Sequence, residues 1–215
     1  MTCAFEEIFS IADAFQNIAM AGRTDAWILS DAAAAHGIPH DSAALARFPD
    51  VYVRHLAREI AASAKRGTTP FRGGRYGIMP GVHALLDALH DRGDAYLALL
   101  TGNYETGARL KLEHFDLWRY FRCGAFGDGA ADRNGLVPKA LARVADCGGP
   151  ACAPSDAVVI GDTPLDVACA KAGGARSIAV ATGNHTADVL REAGADVVFE
   201  NLSDTEAVLK SIFRK

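Results

Sequence analysis

The spacing of apolar positions changes partway along the chain. Over residues 4–66 they recur at helical intervals, with Phe5, Ile8, Phe9, Ala12 and Phe15 on one face. Ala21-Gly22-Arg23-Thr24-Asp25 reads as a turn. Thr24 or Asp25 suits the cap of a helix carrying Trp27, Ile28 and Ala32 as far as His36-Gly37. Pro39-His40-Asp41 closes that segment. A longer helix is predicted from about residue 41 to 65, interrupted or kinked near Pro49, with Val51, Val53, Leu56 and Ile60 facing inward. No strand pattern precedes residue 95, so residues 1–70 are expected to form an all-helical unit.

Residues 67–79, rich in glycine and followed by Pro80, read as a linker. Beyond them short apolar runs alternate with helical patterns. Strands are predicted at residues 95–100, 123–126, 157–160, 177–180 and 196–199. The intervening helices begin near Pro80, Tyr104, Pro138, Pro164, Thr186 and Ser203. This alternation implies right-handed crossovers and a doubly wound parallel sheet, so residues 71–215 are expected to form an α/β core.

Composition narrows the function. The chain has 215 residues, half of them hydrophobic, and a net charge of −4. No Lys/Arg cluster has the length of a nucleic-acid footprint, and no apolar run has the length of a transmembrane span. Residues 1–7 lack the basic and apolar sections of a signal peptide. The cysteines Cys3, Cys123, Cys147, Cys152 and Cys169 are odd in number and contain no C-x-x-C, so neither a disulfide framework nor a zinc site is expected. A soluble cytoplasmic protein is expected; oligomeric state is not legible.

Three features carry chemistry. In Gly161-Asp162-Thr163-Pro164-Leu165-Asp166, an apolar strand hands over to a helix capped by Thr163 and opened by Pro164. Two carboxylates thus sit at the carboxyl end of a sheet, where open α/β folds place ligands, and such a pair suits Mg²⁺. Taken alone, the same two acids read as a loop acid and a first-turn acid. Thr101-Gly102-Asn103 follows another apolar strand and precedes a helix, offering a hydroxyl and backbone N–H groups to a phosphate; by itself it also reads as a capping turn. A cation, Arg133 or Lys139, follows the next strand, where it would neutralise a phosphate or a neighbouring carboxylate.

The order of these features resembles the haloacid-dehalogenase-like (HAD) hydrolase superfamily, in particular its phosphoglycolate-phosphatase-like branch with a helical cap. Ala21-Gly22-Arg23-Thr24-Asp25 resembles a cap phrase, Leu100-Thr101-Gly102-Asn103 the second family motif, and Val159-Ile160-Gly161-Asp162-Thr163-Pro164-Leu165-Asp166 the fourth. The resemblance implies that Thr101, Gly102 and Asn103 hold phosphoryl oxygens, and that Asp162 binds Mg²⁺ with Asp166 in or beside its coordination sphere. Arg133 or Lys139 would serve the third motif, and Arg23 would reach a substrate anion. A small phosphorylated metabolite is the implied substrate.

The family's first motif is a strand ending in Asp-x-Asp-x-Thr, whose first Asp attacks phosphorus, and nothing here matches it. Asp13, Asp25 and Asp31 lie in predicted helical surroundings and are not assigned that role. The core is therefore expected to lack its usual central first strand, leaving the strands before Thr101 and Asp162 about 9–10 Å apart. An N-terminally truncated phosphomonoesterase, inactive as given, is the expectation. The alternatives are a non-catalytic phosphate- or partner-binding remnant and a metal-independent haloacid dehalogenase. No G-x-G-x-x-G follows a strand, which argues against a dinucleotide enzyme.

Overall fold

Aromatic rings hold the helical start of the chain together. The computed structural model describes residues 1–65, 77–128 and 132–214. Its first helices are α1 (Thr2–Phe9), α2 (Asp25–Ala35), α3 (Ala43–Ala46) and α4 (Phe48–Lys65). Phe5 and Phe48 are fully buried, and the Phe5 ring meets those of Phe9, Phe15 and Phe48 at 4.6, 5.4 and 6.2 Å. Ala32, Ala33, Leu45 and Val51 close the same cluster, and Tyr104 reaches it from beyond the helical segment.

One expectation for this segment changes. The helix predicted through Phe15 stops at Phe9, because Ser10 (φ 56°) and Asp13 (φ 54°) adopt left-handed backbone. An unbroken helix would set Phe15 about 15 Å along the axis from Phe5; the bend brings the two rings edge to face at 80°. The helix predicted over residues 41–65 is interrupted at Arg47, close to the expected Pro49. Pro49 lies in the first turn of α4, where its missing N–H leaves no bond unmade. Of the predicted inward residues Val51 is buried and Val53 and Leu56 are partly so, while Tyr52, stacked on Phe48, completes the face.

The α/β part runs α5 (Val82–Arg92), β1 (Ala98–Leu100), α6 (Glu105–His114), β2 (Cys123–Ala125), α7 (Leu136–Asp146), β3 (Val158–Gly161), α8 (Pro164–Ala172), β4 (Arg176–Val180), α9 (Ala187–Glu192), β5 (Val197–Phe199) and α10 (Thr205–Ile212). Every strand pair is parallel. The five strands form two sheets, β1-β2 and β3-β4-β5, with Leu99 opposite Gly124 and Ile160 opposite Ile178. β1 covers half of the predicted residues 95–100, since its one partner, β2, offers only three residues to pair. The linker predicted at 67–79 lies mostly outside the described residues, as does the boundary drawn at residue 70. Pro80 precedes α5 rather than opening it, and its carbonyl accepts from Leu202 N–H at 3.2 Å.

β1 and β3 do not pair with each other among the described residues. Burial records the consequence. β4, flanked on both sides, is buried from Ser177 to Val180, whereas β1 is only half-buried throughout and Ile160 of β3 is 37% exposed. In doubly wound sheets such apolar strands are normally covered on both faces. Among the described residues no helix is long and apolar enough to cross a membrane, and all five cysteines are free thiols.

The ring cluster generates the first prediction. Phe48→Ala is expected to cost about 3–5 kcal/mol of unfolding free energy, read from the urea midpoint.

Candidate active site

β1 and β3 both end at one cavity of about 340 Å³, whose lining includes Arg23, Asp25, Thr101, Asn103, Arg133, Asp162 and Asp166. At the β3 side the chain turns into α8 through a reciprocal cap. Thr163 Oγ1 accepts from Asp166 N–H at 3.2 Å, and Asp166 Oδ2 accepts from the Thr163 hydroxyl at 2.8 Å. That same oxygen also accepts from the N–H groups of Asp162 (3.1 Å) and Thr163 (3.0 Å). The other oxygen, Oδ1, accepts from Arg133. Asp166 is 5% exposed, so this carboxylate is buried, capped and neutralised at once.

Asp162 differs. Among the described residues no other side chain donates a hydrogen bond to its carboxylate. Burial and the nearby Asp166 charge hold its pKa above the usual carboxylate value, against the pull of Arg133 and His185. The pair therefore divides into one carboxylate free to ligate and one already committed to the protein. Mg²⁺ is usually held by one or two carboxylates with several waters, so Asp162 fits a ligand's role while Asp166 fixes the turn that presents it. Among the described residues no group of three or more acidic, His or Cys side chains is arranged to enclose a metal.

Arg133 reaches this cavity from the start of α7, donating to Asp166 and, at 3.1 Å, to Gly22 O. Its Nε is buried with no partner in the described residues. Lys139 is exposed on α7 and does not line the cavity. Arg23 does line it, bonded to Asp31 at 2.5 Å and to Ala19 O at 2.9 Å, with its guanidinium 3.9 Å from the Trp27 ring centroid.

On the β1 side, Thr101 N–H donates to Ala125 O at 3.0 Å. Thr101 Oγ1 accepts twice from Asn103, from its backbone N–H at 3.2 Å and from Nδ2 at 2.7 Å. Lys111 of α6 donates to Asn103 Oδ1. The donors at the start of α6 are taken by protein carboxylates, Tyr104 N–H by Asp25 (2.9 Å) and Glu105 N–H by Asp128 (2.9 Å). The backbone N–H groups of Asn103, Tyr104 and Glu105 are thus engaged within the protein.

Asp25 is the residue that sequence reasoning passed over. It opens α2, capped by Thr24 Oγ1 accepting from Trp27 N–H at 3.1 Å, yet its side chain lies in the cavity. Its N–H donates to Gly102 O at 2.6 Å. A Cβ at Gly102 would collide with the Arg23 carbonyl, and one at Gly22 (φ +72°) would lie 2.6 Å from Thr163 Oγ1. Residues 22–25 thus pack against both strand ends. Burial raises the Asp25 pKa, partly offset by the Tyr104 N–H and Lys111; burial also lowers that of Lys111. Lys111 was missed too, although its position seven residues after Tyr104 places both on one helical face.

Residues 133–205 match the family described as HAD-hydrolase-like. Over those residues the chain is similar to a HAD-like hydrolase domain. Solved structures extend the likeness in fold over nearly all of the chain. A hydrolase from Pseudomonas syringae aligns at 20% identity and TM-score 0.64, covering 98% of this chain and 90% of that one. CbbY from Rhodobacter sphaeroides in complex with phosphate aligns at 18% and 0.63, covering 94% and 87%. A predicted phosphoglycolate phosphatase from Haemophilus somnus 129PT aligns at 14% and 0.60, covering 97% and 88%. No curated protein sequence matches the chain.

Two predictions follow the charges. Asp166→Ala strips Arg133 of its buried partner and is expected to cost about 3–5 kcal/mol, whereas Arg133→Met with Asp166→Leu should cost less than Asp166→Ala alone. Asp25, with its pKa raised on folding, binds protons more readily folded than unfolded, so its contribution to stability falls as pH climbs from the ordinary carboxylate value through the raised one. Asp25→Asn is therefore expected to flatten that decline and to leave the protein relatively more stable at pH 7 than in acid, compared with the parent chain, by urea unfolding at both pH values.

Proposed function

We propose that this HAD-like domain belongs to a Mg²⁺-dependent phosphomonoesterase of the phosphoglycolate-phosphatase-like kind, acting on a small phosphorylated metabolite. The observation that carries the reading is the single cavity lined by Thr101, Asn103, Arg133, Asp162 and Asp166. A phosphoryl group there would meet the Thr101 hydroxyl and the Gly102 backbone on one side. Arg133 would supply positive charge through the edge of its guanidinium not engaged by Asp166. Asp162 would hold Mg²⁺, which when bound supplies charge neutralisation for phosphoryl transfer. Asp166 would orient Asp162 by accepting its N–H. Arg23, on the helical segment, would face the substrate's remaining anion. Residues 1–70 would then act as a cap over the core formed by residues 71–215.

The attacking carboxylate is the part this reading has to supply. Its place is between β1 and β3, the two strands that end at the cavity and do not pair. In the complete enzyme a strand there would bring an Asp to attack phosphorus in line, forming an aspartyl-phosphate that water then cleaves. Among the described residues no strand carries a carboxylate into that space. Asp25 lies near but is bound to Tyr104 N–H. The 215-residue chain alone is therefore proposed to be inactive. A second reading, a phosphate-binding remnant without turnover, draws on the same two strands, which among the described residues do not pair with each other.

The pure, mass-verified chain is expected to be stabilised thermally by orthophosphate and Mg²⁺, less so as Thr101→Val, and to release no p-nitrophenol from p-nitrophenyl phosphate. Turnover that depends on Mg²⁺ would overturn the proposed inactivity. An in-frame apolar Asp-x-Asp segment within a few dozen codons upstream of Met1 would favour the hydrolase, and its absence the remnant.

A further inference from the structure

Thr101 Oγ1 has one hydrogen to donate and two lone pairs with which to accept. Asn103 occupies both lone pairs, through its backbone N–H at 3.2 Å and its Nδ2 at 2.7 Å. The hydroxyl hydrogen must then point elsewhere, and Thr101 lines the cavity. This arrangement holds only while the Asn103 carboxamide presents its NH₂ to Thr101. Turned over, Oδ1 would face the hydroxyl and take its hydrogen.

Lys111 decides between the two. An ammonium has three donors and no acceptor, so Lys111 can bond Asn103 only through Oδ1, which leaves Nδ2 for Thr101. The geometry suits the helix, whose long side chains lean back toward its N-terminus, and Lys111 lies two turns into α6. Asp25 lies near the ammonium, and among the described residues no carboxylate is ion-paired with Lys111 to draw it off Asn103.

Resting on the phosphate-site reading above, we propose that Lys111 is a positioning residue. By holding the Asn103 carboxamide in one orientation, it keeps the Thr101 hydroxyl a donor toward the phosphoryl oxygen.

Orthophosphate binding by calorimetry tests this on the full chain and its variants, each checked for folding by circular dichroism. Lys111→Met is expected to weaken binding about tenfold, the scale of one hydrogen bond to a charged group. Lys111→Arg, a donor-only side chain of similar reach, should restore most of it. Asn103→Asp should weaken binding as much, because a carboxylate keeps the Lys111 partner yet accepts the Thr101 hydrogen. Lys111→Met added to Thr101→Val should cost nothing further, since Lys111 acts through Thr101. The Asn103 side-chain NH₂ resonances, assigned by their loss in Asn103→Asp, should shift in Lys111→Met.

Parent-like phosphate binding by Lys111→Met, with Thr101→Val weakened, would overturn the role of Lys111 and leave the site intact. Equal binding by the parent and Thr101→Val, or none by the parent, would overturn the phosphate-site reading and this inference with it. Should Lys111→Met not fold, Asn103→Asp and Lys111→Arg decide: parent-like binding by the former, or a full loss in the latter, sinks the proposal.

Discussion

The Asp166 carboxylate is where the separate parts of this chain are tied. It sits inside the first turn of α8, takes three hydrogen bonds on one oxygen and binds Arg133 with the other. Arg133 in turn reaches Gly22 O, so one buried charge pair joins the end of β3, the start of α7 and the segment leading into α2. Taking both ions out of water is costly, and the three further donors on Asp166 Oδ2 and the Arg133 bond to Gly22 O offset part of that cost. The Arg133 Nε has no partner among the described residues, and Arg133 lines the cavity.

The second constraint is the division of the sheet. A parallel strand buried within a doubly wound sheet needs ladder partners on both edges and apolar cover on both faces. β4 has both; β1 and β3 each have one paired edge, and their apolar side chains remain partly open. The cavity bridges these two incomplete edges. Its walls are well defined because they are fixed from outside the gap: Thr101 by β2 and α6, and Asp162 by the α8 cap. The ligand-binding walls and the continuity of the sheet are separable in this fold.

Much of this was legible in the chain because the signals are local. Thr163-Pro164-Leu165-Asp166 writes a helix start whose capping box needs no distant partner, and of the two cap candidates Thr24 and Asp25 it is Thr24 that caps α2. All five strands stand where the apolar runs placed them, with β1, β2 and β5 shortened, β3 shifted by one residue and β4 one residue longer. The failures came where distant packing overrode local pattern. The apolar stripe through Phe15 looked helical, but folding Phe15 onto Phe5 gained more than another turn of helix. Asp25 read only as a cap candidate in helical surroundings because its bond to Tyr104 N–H spans 79 positions. Arg133 and Lys139 were both candidates in sequence, with Arg133 preferred; only the path of the chain into α7 shows that Lys139 faces solvent.

These distant contacts alter how selectivity would be exercised. Arg23, Thr24 and Asp25 do not merely lie over the phosphate loop. Asp25 N–H is bonded to Gly102 O, and its carboxylate holds Tyr104 N–H at the start of α6. Gly102 is forced to be glycine by the Arg23 backbone against it. A displacement of α2 would therefore pull on the residues flanking Thr101 and Asn103, and through Lys111 on the hydroxyl that faces the cavity. On the proposed reading, recognition of the substrate's far end by the helical segment and grip on its phosphate by the core would be coupled through the Asp25 bonds to Gly102 and Tyr104, so a substrate that misplaces Arg23 would loosen the contact at Thr101 as well.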